Sequence, residues 1–88
     1  MTLQQAYDLA RKKGMIRLFA RWGRDSIYVH LPGRMVGGKS VPDFFVIIFH
    51  SPKMTRDSYT AESLHEVRIT LALEHLIPAD KLEWVAIP

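Results

Sequence analysis

The spacing of apolar and polar positions changes several times along the chain, and each change marks an element. Leu3, Ala6, Tyr7 and Ala10 recur at helical spacing behind Thr2 and Gln5, which together make a T-x-x-Q capping box. Arg11, Lys12 and Lys13 complement the negative end of a helix dipole, and Gly14 is a natural stop, so a helix is predicted from about residue 3 to Gly14. Residues 15–22 then alternate with period two. Ile16, Leu18, Ala20 and Trp22 fall on one side, Arg17, Phe19 and Arg21 on the other. Residues 26–31 alternate likewise, with Ile27, Val29 and Leu31 against Ser26, Tyr28 and His30. Gly23-Arg24 between them suits a two-residue type II′ turn. The hairpin this implies pairs Trp22 with Asp25, Ala20 with Ile27, Phe19 with Tyr28, Leu18 with Val29, Arg17 with His30 and Ile16 with Leu31. Both faces agree with the alternation, which a one-residue slip would destroy.

Residues 32–42, rich in Gly and Pro, are predicted to form a loop. Asp43 to His50 is a third strand, apolar on both sides, with Phe44, Val46 and Ile48 against Phe45, Ile47 and Phe49. Such a strand is central and covered on both faces. Ser51-Pro52 ends it, and residues 53–59 are expected to be irregular. Thr60 is expected to cap a second helix over 61–76, stopped by Pro78, and Leu82–Ile87, with Trp84 in it, reads as a short last strand. The predicted order is α-β-β-β-α-β. This is an α+β fold of one domain, residues 1–88, with a mainly antiparallel sheet packed against two helices.

Composition adds little to this picture and contradicts none of it. The chain is 48% hydrophobic and 24% charged, an ordinary globular balance. It has no cysteine, which excludes a disulfide framework and thiolate metal sites. Its N-terminal segment has no apolar signal core, and the longest apolar run, Phe44 to Phe49, is far shorter than the roughly 20 residues of a membrane span. A cytoplasmic location is expected, with no membrane partner.

Charge changes the picture more. The formal net charge is +3, but residues 1–56 carry ten Lys/Arg against Asp8, Asp25 and Asp43, while residues 57–88 carry Arg68 and Lys81 against six carboxylates. A basic N-terminal half steers a protein toward a polyanion. The hairpin concentrates this chemistry, because Arg17, Phe19 and Arg21 share a side with Tyr28 and His30. If Phe45, Ile47 and Phe49 continue that side, it becomes a large apolar surface flanked by cations. Sheets that bind single-stranded nucleic acid stack bases on aromatic rings and hold phosphates with Arg and Lys. The same side serves equally as core under a helix, or as an interface with a protein partner or a second copy.

Residues 33–40, GRMVGGKS, match the phosphate-loop pattern G-x-x-x-x-G-K-[ST] at every fixed position. That loop requires a helix to begin at once, so that its N-terminus faces the anion. Here Pro42 and a β-rich run follow instead, the preceding strand belongs to a hairpin, and the apolar run that should end in a magnesium-site aspartate ends in His50. Nucleotide hydrolysis is not expected. Arg34 and Lys39 in a glycine-rich loop remain candidates for touching a phosphate without chemistry.

The helix expected over 61–76 has a polar arc of Glu62, Glu66, Thr70 and Glu74 and an apolar arc of Leu64, Val67, Leu71, Ala72 and Leu76, with Arg68 and His75 inside the apolar one. Its two histidines, His65 and His75, are ten residues apart on different faces, and His30 and His50 make no ligand pair either, so no metal site and no cofactor are expected. The order α-β-β-β-α over residues 3–76 resembles that of double-stranded-RNA-binding domains and of small ribonuclease toxins built on that fold. The basic start of the second helix used by those binding domains is missing, since this one opens Ala61-Glu62-Ser63, and so is the toxins' Gly-Ser-His segment. No family is assigned on element order alone. In a ribonuclease of this kind His30, beside Arg17, is the general-base candidate.

The chain is therefore read as a small non-enzymatic binding module. It is expected to engage nucleic acid or a nucleoprotein complex through Arg17, Phe19, Arg21, Arg24, Tyr28, His30, Arg34 and Lys39. The alternative is a protein-binding adaptor or inhibitor, of the phage- or plasmid-accessory type, using the same side and able to form a homodimer through it.

Overall fold

A computed structural model describes residues 1–33, 35–36, 39–40, 43–53 and 55–88, with the backbone alone for 35, 36, 39 and 40. The fold is α+β as expected, with a five-stranded antiparallel sheet beneath two helices. Helix α1, Leu3–Lys13, begins at the capping box. The Gln5 N–H donates to the Thr2 hydroxyl at 3.1 Å, and the Thr2 N–H to the Gln5 side-chain oxygen at 2.9 Å. Gly14 closes it at φ 72°, a left-handed conformation that glycine accepts without a Cβ clash.

Strands β1, Arg17–Trp22, and β2, Asp25–His30, pair in the register read from the alternation, from Trp22 opposite Asp25 to Arg17 opposite His30. The Leu31 N–H continues the ladder to the Ile16 carbonyl at 2.9 Å. Gly23 alone in the turn has a positive φ, 60°, which fits type II′ rather than type I′. A two-residue ribbon follows, β3, Met35–Val36, against β4, Lys39–Ser40. Strand β5, Phe45–His50, then lies between β2 and a strand over Arg56–Ala61 and is central as predicted, but among the described residues helices cover only its Phe45, Ile47 and Phe49 side, not both sides as expected.

Residues 53–59, expected to be irregular, instead run into a strand β6, Arg56–Ala61, paired with β5. Only Tyr59 and Ala61 of β6 face the core. As an edge strand it needs no second apolar face, so it lacks the hydrophobic run that marks β5. Helix α2 consequently starts later, over Leu64–His75, and its cap is Ser63 rather than Thr60. The Ser63 hydroxyl accepts from the Glu66 N–H at 3.1 Å. The last strand, β7, is Val85–Ile87. Trp84 precedes it and is buried in the core, its indole N–H donating to the Ala79 carbonyl at 2.8 Å.

The sheet order is β6-β5-β2-β1-β7. Both helices lie on one side of it, α1 over β1 and β7, α2 over β5 and β6. Leu3, Ala6 and Ala10 of α1 and Leu64, Val67 and Leu71 of α2 close over Leu18, Ala20, Ile27, Val29, Phe45, Ile47 and Phe49 as one core. His75 seals the α2 end. Its ring stacks on Phe49 at 3.7 Å between centroids and shares a 2.9 Å hydrogen bond with the Tyr59 hydroxyl. Among the described residues, no helix is long and apolar enough to cross a membrane.

Candidate functional site: the open sheet face

The strand registers dictate what the other side of the sheet displays. Side chains directly opposite across antiparallel strands share a face, so the pairings lay out three rows. The central row runs Val85, Phe19, Tyr28, Ile48, Ser58. One flanking row runs Ile87, Arg17, His30, Val46, Thr60, and the other Arg21, Ser26, His50, Arg56. Among the described residues no helix lies over this side. Phe19 and Tyr28 are half-buried, with ring centroids 5.0 Å apart at 46°. Aliphatic Ile48 and Val85 extend the apolar centre on either side of the rings.

The face contains three arginines, two histidines and no Asp or Glu. The carboxylates that neighbour it in sequence point elsewhere, since Asp25 pairs with Trp22 and Asp57 with Phe49 on the helix side. Arg17 donates from Nε and Nη2 to the Pro88 oxygen at 3.3 and 2.9 Å, which holds its guanidinium at the β7 rim. Arg21 and Arg56 make no ion pair among the described residues. His30 sits between charges of its own sign. Burial first, then Arg17 and Arg56, hold its pKa below the ordinary 6.5, which disfavours the imidazolium.

Of the residues singled out in the sequence, Arg17, Phe19, Arg21, Tyr28 and His30 come together on this face. Arg24 is exposed at the hairpin tip beside it. Arg34 and the Lys39 side chain lie outside the described residues. Phe45, Ile47 and Phe49 do not continue the face. The β2–β5 register sets Val29 opposite Ile47 and Ile27 opposite Phe49, which turns all three into the helix-covered core, with Phe45 only 4% and Phe49 7% exposed. Val46, Ile48 and His50 take their place. Arg56, Ser58 and Thr60 lie on strand β6, whose signal in the sequence is confined to the two apolar positions Tyr59 and Ala61.

Elsewhere the surface offers less. The backbone of Lys39 and Ser40 is strand and β5 is the next element, so among the described residues no helix begins directly after the glycine-rich segment. The α2 N-terminus is occupied by the chain's own carboxylate, Glu66 accepting from the Glu62 N–H at 2.6 Å. A cleft of about 310 Å³ between α1 and the start of the β2–β5 connection is lined by Tyr7, Arg11, Met15, Leu31, Gly33 and Asp43, but its arginine is engaged by the Tyr7 hydroxyl at 3.0 Å. Among the described residues, no three His, Asp or Glu side chains gather as metal ligands. Comparison of the chain with protein-family models, with curated proteins and with solved structures finds no match.

Proposed function

We propose that this protein is a non-enzymatic module that binds single-stranded nucleic acid on the open face of its sheet. The observation that carries the reading is the face itself, where among the described residues no helix covers an aromatic row that lies between two cationic rows and has no carboxylate beside it. Bases have a π-face that stacks on exposed rings whatever the sequence, and the surrounding arginines neutralise the phosphates. A duplex hides its base faces, so a stacking platform favours a single strand. The α2 N-terminus, where double-stranded-RNA-binding domains present cations, presents Glu62 and Glu66 instead. Residues 33–40 act in this reading as a connection, not as a site of phosphate chemistry.

Fluorescence anisotropy with a labelled single strand of about 12 nucleotides, within the usual range of platform site sizes, tests the proposal. Binding should be weakened by Phe19→Ala and by Arg21→Ala and should exceed binding to the matching duplex. The aliphatic margin of Val46, Ile48, Val85 and Ile87 favours a second reading, in which the same face binds protein. Absence of strand binding at low salt would leave that reading in place of the first.

A further inference from the structure

A second exposed surface lies on the far side of the molecule. On the outer side of α2, Ile69, Leu73 and Leu76 are 41%, 76% and 85% exposed. Their spacing of four and three residues aligns them in one stripe. Leu76 stands at the helix C-cap with φ 55°. That conformation costs an L-residue about 1–2 kcal/mol, and glycine takes it freely. Glu66 and Glu74 border the stripe and are exposed, with Glu62 beyond them. The helix's one arginine, Arg68, is held by Asp80 at 2.8 Å. The surface is thus an apolar stripe with acids along one side and, on the other, exposed His65 and an arginine already paired with Asp80, while the open sheet face is an apolar row bordered by cations.

We propose that the α2 stripe of one molecule docks on the open sheet face of a second copy, in a head-to-tail association that competes with nucleic acid. The competition rests on the proposed function, whereas the docking does not. Charge selects this arrangement over the two-fold ones. Sheet face against sheet face sets arginines opposite arginines, and an antiparallel α2 pair brings each acidic flank against its own copy. The heterologous contact instead matches acids with arginines that are free of ion pairs among the described residues, around apolar centres. The dimensions agree as well. Ile69 to Leu76 covers about 10 Å along a helix, and Phe19 to Ile48 spans two strand spacings, also about 10 Å. Glu66 and Glu74 are about 12 Å apart along the helix, against about 14 Å for the three strand spacings from Arg21 to Arg56. A patch one helix wide is smaller than the roughly 800 Å² per partner of a stable complex, so the association is weak.

Light scattering from about 10 µM to about 1 mM, where a weak contact becomes populated, should show the mass rising with concentration. Leu73→Glu disables the stripe, and Phe19→Glu or the more exposed Arg21→Glu disables the sheet face. Each variant alone should stay a single chain. Leu73→Glu mixed with either sheet-face variant should form a 1:1 complex and nothing larger, because one intact surface of each kind remains. A wild-type chain that stays single throughout, self-association by any of these variants alone, or a mixture that stays single would each overturn the proposal. Leu73→Glu also separates this inference from the function. If it binds the oligonucleotide as the wild type does while the mixtures stay single, the docking fails alone. If the mixtures form and no chain binds the strand, the docking stands and the nucleic-acid reading fails.

Discussion

Among the described residues, Phe19 and Tyr28 are the two Phe, Tyr or Trp side chains on the open face, half-buried and in tilted contact. Removing one removes a stacking surface worth about 1–3 kcal/mol per base, so Phe19→Ala should weaken strand binding by roughly 10-fold or more. Because Phe19 also packs on Tyr28, the variant should lose about 0.5–1.5 kcal/mol of stability while staying folded, so thermal unfolding is measured beside anisotropy and binding is read well below the midpoint. His30 gives a pH signature with two opposite signs. Its folded pKa lies below 6.5, so the folded chain binds fewer protons than the unfolded one. Its contribution to stability is therefore complete above pH 6.5 and is lost as pH falls toward the depressed folded value. Phosphates beside the ring favour the imidazolium, so strand affinity should rise over the same fall in pH. Denaturant unfolding and binding at about pH 7.5 and about pH 5.5, each compared with His30→Gln, read both effects free of the other histidines. Leu76→Gly should stabilise the fold by about 1 kcal/mol, since it relieves the left-handed backbone at an exposed position.

Among the elements, the β1–β2 hairpin was legible in the sequence to the residue. Strict alternation on both strands and a glycine at the one left-handed turn position leave a single register. Gly23 is also a clean site to test. A Cβ there meets nothing within 4 Å, so the cost of Gly23→Ala should be the backbone strain of φ 60° alone, about 1–2 kcal/mol by chemical denaturation. Strand β6 was not legible, because an edge strand with one exposed face carries just Tyr59 and Ala61 as apolar markers and its polar residues resemble a loop. That single omission misplaced the start of α2 and concealed Arg56. The side taken by Phe45, Ile47 and Phe49 is illegible in the sequence for a different reason. Both sides of β5 are apolar, so alternation cannot say which faces the helices, and only pairing with β2 decides it. The corrected boundary has a direct check. Ser63→Ala should cost about 1 kcal/mol through loss of the helix cap, and Thr60→Ala should cost much less.

At the scale of the whole molecule, the uneven charge along the chain becomes an uneven charge in space. Five strands present arginines and histidines on one side, both helices cover the other, and α2 turns Glu66 and Glu74 outward behind the sheet. An open sheet with an aromatic centre is an incomplete layer packing, and what completes it is the functional question. In the proposed function a nucleic-acid strand completes it, with the three arginines on its phosphates. A salt titration of single-strand binding tests this most directly. Three phosphate contacts predict a slope of log affinity against log salt near about −2, and Arg21→Ala or Arg56→Ala should each flatten it by roughly 0.7. An affinity that does not change with salt, or no binding at about 50 mM salt, where such contacts are strongest, would contradict it.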